Sequence, residues 1–219
     1  MKQSMRHLIS GTTIVVSCLF MPGVATAHPH VFVEANIEVV RDDKGLFTEL
    51  RQVWRFDELF STTVTLDYDE NVDGVLDEKE LKEVTKIIKE SIAEYDFYTA
   101  IRTGDKAVEF FEPDEINAYF EDGKMIMFLA VEPSKPIDLS TAPLRISASD
   151  TSYYVAFRFD TDNVSISGND DGCSADVKHP DFDKLYADNA ETLSESFFND
   201  QKDSGFGDEF YSWATITCQ

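Results

Sequence analysis

Basic residues, cysteines and long apolar runs are all scarce in this chain of 219 residues. Lysine and arginine number 19 against 42 aspartates and glutamates, a formal net charge of −23. That deficit excludes nucleic acid as a partner, because a negative chain repels phosphate; it favours cations and keeps the chain soluble. An acidic composition suited to saline surroundings accounts for the total equally well. No segment beyond the amino terminus approaches the ~20 consecutive apolar residues of a spanning helix, so the chain does not read as an integral membrane protein. Ser-His-Asp, Cys-His and His-Glu-x-x-His groupings are missing, as is any Cys-x-x-Cys pair. Nucleophilic triads, zinc-protease chemistry and dithiol redox work therefore lack their residues, and the chain does not read as an enzyme.

The amino terminus points to export. Lys2 and Arg6 precede an apolar stretch from Leu8 to Phe20, and Ala25-Thr26-Ala27 supplies a small-residue cleavage site. Residues 1–27 read as a secretory signal peptide and 28–219 as one mature domain. Without Lys2 and Arg6 there remain 17 basic residues against 42 acidic, a net charge of −25. Cys18 departs with the leader, leaving Cys173 and Cys218 as an even pair in an oxidising compartment, where a disulfide is expected. On the chain-entropy account a bridge closing that loop contributes about 4 kcal/mol. Two buried thiols or a soft-metal site are the alternatives.

The most specific segment is Asp69 to Glu80, Asp-Glu-Asn-Val-Asp-Gly-Val-Leu-Asp-Glu-Lys-Glu. An EF-hand loop needs oxygen ligands at positions 1, 3, 5, 7, 9 and 12. Here those positions hold Asp69, Asn71, Asp73, the carbonyl of Val75, Asp77 and a bidentate Glu80, all matched to Ca2+. Gly74 supplies the sharp turn at position 6 and Leu76 the inward apolar residue at position 8. An acidic surface turn needs no such combination. Leu81, Val84, Ile87, Ile88 and Ile92 then recur at helical spacing behind Asp77 and Glu80, a capping-box pair. On the other side Asp57 is placed to cap a short helix carrying Leu59, Phe60, Val64 and Leu66 inward. Residues 57–94 thus read as an EF-hand insertion. The nearest second loop, Ser167 to Lys178, has Ser at position 1 and Lys at position 12 and fails, so calcium here is expected to fix structure rather than to drive a paired-hand switch.

The remainder reads as strands. Val31–Val40 and Leu46–Phe56 flank a turn at 41–45; Tyr98–Arg102 and Ala107–Phe111 flank Gly104-Asp105; Ile116–Phe120 and Met125–Val131 flank Asp122-Gly123; Leu144–Ser149 and Tyr153–Phe159 follow closely. A helix at about 181–198 and a last strand at 210–218 complete an α+β fold, with antiparallel, sandwich-like sheets interrupted by the helix-loop-helix.

A second candidate site lies at the new amino terminus, His28-Pro29-His30. Residues two apart in a strand face one side, and cleavage would free the α-amine of His28, so three nitrogens can gather for Zn2+, Ni2+, Co2+ or Cu2+. Pro29 removes a backbone N–H and with it the amino-terminal copper/nickel motif. Further ligands would come from Asp57, Asp150 or His179. Two solvated histidines, and an ordinary surface His179, are the plain alternatives.

The run from Ala27 to Val33, Trp54-Arg55-Phe56-Asp57-Glu58 before the Asp-rich loop, Asp150 to Phe157, and the two spaced cysteines resemble the bacterial domain-of-unknown-function family 1007 over nearly the whole mature chain. The resemblance implies a periplasmic location and the periplasmic component of an uncharacterised transport system. Together these readings describe an exported metal-binding protein, an accessory to a membrane metal transporter, with a structural calcium in a single EF-hand loop. A calcium-dependent interaction module with no transition-metal role, and a copper-dependent enzyme using the amino-terminal His, are the competing readings.

Overall fold

The computed structural model describes residues 29–169, 172–188 and 208–219. The proposed leader, its cleavage site and His28 lie outside the described residues. Strict alternation of apolar and polar residues makes β1 (Val31–Arg41) a strand with one buried face: Val31, Val33, Ala35, Ile37 and Val39 point into the core, and Phe32, Glu34 and Asn36 point out. It pairs antiparallel with β2 (Leu46–Phe56), Val33 standing opposite Phe56. Asp42 forms the turn by accepting the N–H groups of Lys44 and Leu46, both at 2.9 Å.

Two helices follow, α1 (Glu58–Tyr68) and α2 (Glu78–Ile92), and a 3-10 turn over Ala93–Tyr98 leads back into sheet. The later strands are β3 (Thr99–Thr103), β4 (Lys106–Ala107), β5 (Asn117–Glu121), β6 (Lys124–Val131), β7 (Ile137–Asp138), β8 (Leu144–Ala148), β9 (Val155–Arg158), β10 (Val164–Gly168) and β11 (Cys173–Lys178). Helix α3 (Phe182–Asp188) and β12 (Trp213–Cys218) end the chain. One sheet runs β10-β1-β2-β6-β5, with β7 also on β2 and β9 also on β1; the other runs β11-β12-β8-β3-β4.

Both sheets are rich in antiparallel pairs, so the α+β class holds, with three corrections. First, β9 and β10 lie parallel to β1, β9 beside Val31–Glu34 and β10 beside Ile37–Arg41. They are two segments of one edge, separated by a 3-10 turn at Thr161–Asn163. Gly168 ends that edge because a Cβ there would meet the carbonyl oxygen of Arg41 at 1.8 Å, and its φ is +81°. Second, Leu144–Ser149 and Tyr153–Phe159 do not continue in one sheet: β8 belongs to the second sheet and β9 to the first, with the crossing at Asp150. Third, Leu59 and Leu66 are 74% and 78% exposed. The face of α1 turned to the sheet is instead Ser61 and Val64, and Ser61 Oγ accepts the N–H of Met125 in β6 at 3.0 Å. Of the helix expected at 181–198, residues beyond 188 lie outside the described residues.

Cys173 and Cys218 stand opposite one another on β11 and β12 and form a disulfide. Arg41 reaches it from the end of β1, its guanidinium donating to Cys173 Sγ at 2.7 Å and to the carbonyl of Gly45 at 2.8 Å. A buried polar relay crosses the core between the sheets. Trp54 Nε1 donates to Gln52 Oε1 at 3.2 Å, Gln52 Nε2 to Thr99 Oγ1 at 2.7 Å, and Thr99 Oγ1 to the carbonyl of Phe97 at 2.9 Å. Gln52 is only 1% exposed, so each broken link leaves a desolvated group without a partner. Gln52→Leu should therefore destabilise the chain by about 1–3 kcal/mol in urea titrations, despite adding an apolar side chain to an apolar core.

Candidate metal sites

The helix-loop-helix is fixed at both ends by carboxylates. Asp57 caps α1, its Oδ1 accepting the N–H of Phe60 at 2.9 Å. Asp77 caps α2 in a reciprocal box: Asp77 Oδ1 accepts from Glu80 N at 2.9 Å and Glu80 Oε2 from Asp77 N at 2.8 Å. The other oxygen of Glu80 accepts from Glu70 N at 2.8 Å. One carboxylate, 4% exposed, thus holds the entrance and the exit of the loop together.

Between those ends the backbone turns in on the loop's own oxygens. Asp69 Oδ2 accepts the N–H of Gly74 at 2.7 Å and Asp69 Oδ1 that of Asp73 at 3.2 Å. Asn71 Oδ1 also accepts from Asp73 N, and Asp73 Oδ1 from Val75 N, at 2.9 and 3.0 Å. Gly74 has φ +86°, and Val72, a β-branched residue, is held at φ +59°. Leu76 packs against the core while Val75 is exposed. A carboxylate offers about four lone pairs, so an oxygen taking one N–H keeps acceptor capacity. The donor set, all oxygen and mostly anionic, fits a hard divalent cation. Even so, no three His, Cys, Asp or Glu side chains come together as a metal-holding group among the described residues.

The amino-terminal strand carries the second set. His30 is exposed; its N–H and that of Val31 both donate to the carbonyl of Tyr154, at 2.9 and 3.1 Å, and its ring lies 5.0 Å from the Tyr154 ring. Asp57, at β2's exit, faces Phe32: Asp57 Oδ2 accepts from Phe32 N at 2.7 Å and Asp57 N donates back to Phe32 O at 2.9 Å. Asp150 is buried at the crossing between the sheets and accepts from Ser152 N, Ser152 Oγ and Val155 N within 2.9 Å. His179 is remote, between Asp160 Oδ1 at 2.8 Å and Ser212 Oγ at 3.0 Å. Asp57 and Asp150 thus hold a strand end and a turn, and they do not gather with His30 into a three-ligand group.

These are the segments on which the family resemblance stood, now seen as strand start, helix cap, loop and sheet crossing. A family profile described as a protein of unknown function, DUF1007, matches residues 13–218. The chain belongs to that family. A search of curated proteins finds no match. Membership in DUF1007 covers nearly the whole sequence and carries no activity with it.

The sequence places Tyr98 at the start of a strand and Tyr154 in the run Asp150 to Phe157 without giving either a role in the site. Tyr154 joins the amino-terminal strand to the crossing loop, and Tyr98 closes the 3-10 turn beneath it. The Tyr153-Tyr154 pair, three and four residues past Asp150, is the signal for Tyr154. Burial, followed by the nearby charge of Asp150, raises the Tyr98 phenol well above its ordinary value. Because the folded value is the raised one, the neutral phenol contributes fully below about pH 10, and stability falls as rising pH deprotonates the unfolded chain first. Urea midpoints measured from pH 8 to 11 should therefore decline less steeply for Tyr98→Phe than for the unaltered chain.

Proposed function

We propose that this chain is an exported metal-binding protein whose Asp69–Glu80 loop holds a structural Ca2+, and whose amino-terminal histidines serve a periplasmic transition-metal transport system as an accessory or binding component. The observation that carries the calcium reading is Glu80. It is a nearly buried carboxylate at the position of the bidentate ligand, and it already draws both ends of a loop with left-handed Gly74 at its turn. Asp69, Asn71, Asp73, the Val75 carbonyl, Asp77 and Glu80 would hold the cation, which would neutralise the loop's charge and lock α1 against α2.

For the transition-metal role the support is narrower: an exposed His30 on the first strand, and His28 two residues before it in sequence. A second reading, a calcium-dependent module without a transition metal, is favoured by the engaged oxygens of Asp57 and Asp150.

Single-loop extracellular modules bind calcium at about 10⁻⁴–10⁻³ M, so tests should span that range. Calcium should raise the melting temperature of the unaltered chain, and Glu80→Gln should lose that rise. The histidine reading is tested separately. A chain beginning at His28 should bind zinc, nickel or copper more tightly than one extended by a residue, and His30→Ala should lose this ion while keeping calcium. The binding should weaken below about pH 6.5, where free imidazoles protonate. Equal transition-metal affinity in all three proteins would leave the calcium module alone.

A further inference from the structure

A cavity of about 160 Å³ lies between α2 and the inner face of the first sheet. Its walls come from Phe60 of α1, Ile88 and Ser91 of α2, Trp54 of β2, and the aromatic pair Tyr98 and Phe157. Trp54 and Phe157 meet edge to face at 5.0 Å, and Tyr98 stands 5.6 Å from Phe157, so three rings form one rigid side. Phe56, Tyr154, Met127 and the aliphatic Val31, Ile87, Ile92 and Val155 complete the lining, and its side-chain hydroxyls are those of Tyr98, Tyr154 and Ser91, the last turned back to the carbonyl of Ile87 in its own helix. The hollow is open to solvent on one side, and its mostly apolar lining and volume of about 160 Å³ match the size of a benzene-like guest. Access lies between α2 and the start of β9, where Ile87 is 37% and Tyr154 50% exposed and Ser91 is also at the surface.

From the size and lining of this cavity we infer that it is a binding site for a small neutral molecule carrying one apolar ring. Its volume is below the ~300 Å³ at which sites for larger ligands begin, so one small ring fills it. Because Phe60 belongs to the helix before the loop and Ile88 and Ser91 to the helix after it, the two halves of the wall are joined by Asp69–Asp77. Resting on the calcium reading of that loop, ligand and cation are then coupled, each strengthening the other by the same factor.

Toluene serves as the probe, followed by ligand-observed NMR and by thermal melting of the whole exported chain. The unaltered protein should bind toluene; Ser91→Phe, whose ring enters the cavity from an exposed position, should weaken binding about tenfold or more, a difference of roughly 1.4 kcal/mol. Ser91→Ala should bind as before, and an unchanged melting temperature in both variants separates plugging from misfolding. No toluene binding by the unaltered chain, or equal affinity in Ser91→Phe, overturns the site. Titrations repeated in calcium and in chelator test the coupling: stronger toluene binding in calcium, lost in Glu80→Gln, supports it. Toluene binding to a chain that takes no calcium would overturn the loop reading and leave the cavity standing.

Discussion

The carboxylate of Asp57 takes the N–H of Phe32 on one oxygen and that of Phe60 on the other, while its own N–H returns to the carbonyl of Phe32. One residue thereby closes the last rung of the β1–β2 pair and starts α1 in a fixed direction. Everything placed by α1 follows from that clasp: the seat of Ser61 on β6, the entry of the acidic loop, and the wall of the cavity. A hydrogen bond to an ionised acceptor is worth about 1.5–3 kcal/mol, and here two such bonds share one side chain. In the sequence Asp57 stands as a candidate further ligand; in the structure it is a joint between sheet and helix.

Glu80 plays the matching part at the far end of the loop. Its two oxygens bind Glu70 N and Asp77 N, so the loop is already closed by hydrogen bonds before any cation is considered. That explains how a segment with so many acidic groups can keep a defined shape. It also sets the nature of the proposed site: calcium adds charge neutralisation to a loop with the turn in place, which is the behaviour of a structural ion. The exposed Val72 at positive φ is a strain that such a loop carries at its tip.

Features written locally were legible in the sequence. The caps Asp57 and Asp77 with Glu80, the turn at Asp42, the hairpins β1–β2 and β5–β6, and the helix α2 each depend on residues within a few positions of one another. The disulfide was legible from an even cysteine count. Long-range pairing was not. Parallel strands β9 and β10 join β1 from more than a hundred residues away, and nothing in Val164–Gly168 marks its partner. Asp150 illustrates the same limit, since a buried carboxylate that turns the chain from one sheet to the other has the same sequence signature as a ligand. Leu59 and Leu66 were misplaced because apolar character was read as burial, whereas Ser61 occupies the buried side through its bond to Met125. The cavity was invisible, being assembled from α1, α2, the 3-10 turn after it, the strands β1, β2, β6 and β9, and Tyr154 just before β9.

The central proposal is that calcium, held by the already closed Asp69–Glu80 loop, fixes the two helices. Amide hydrogen exchange on the chain beginning at His28 tests it most directly, comparing calcium with chelator across the range of about 10⁻⁴–10⁻³ M. The account predicts slower exchange with calcium at Glu70, Asp73, Gly74, Val75 and Asp77, extending into α1 and α2 and leaving β11 and β12 unchanged. Identical exchange of the loop amides in calcium and in chelator would contradict it.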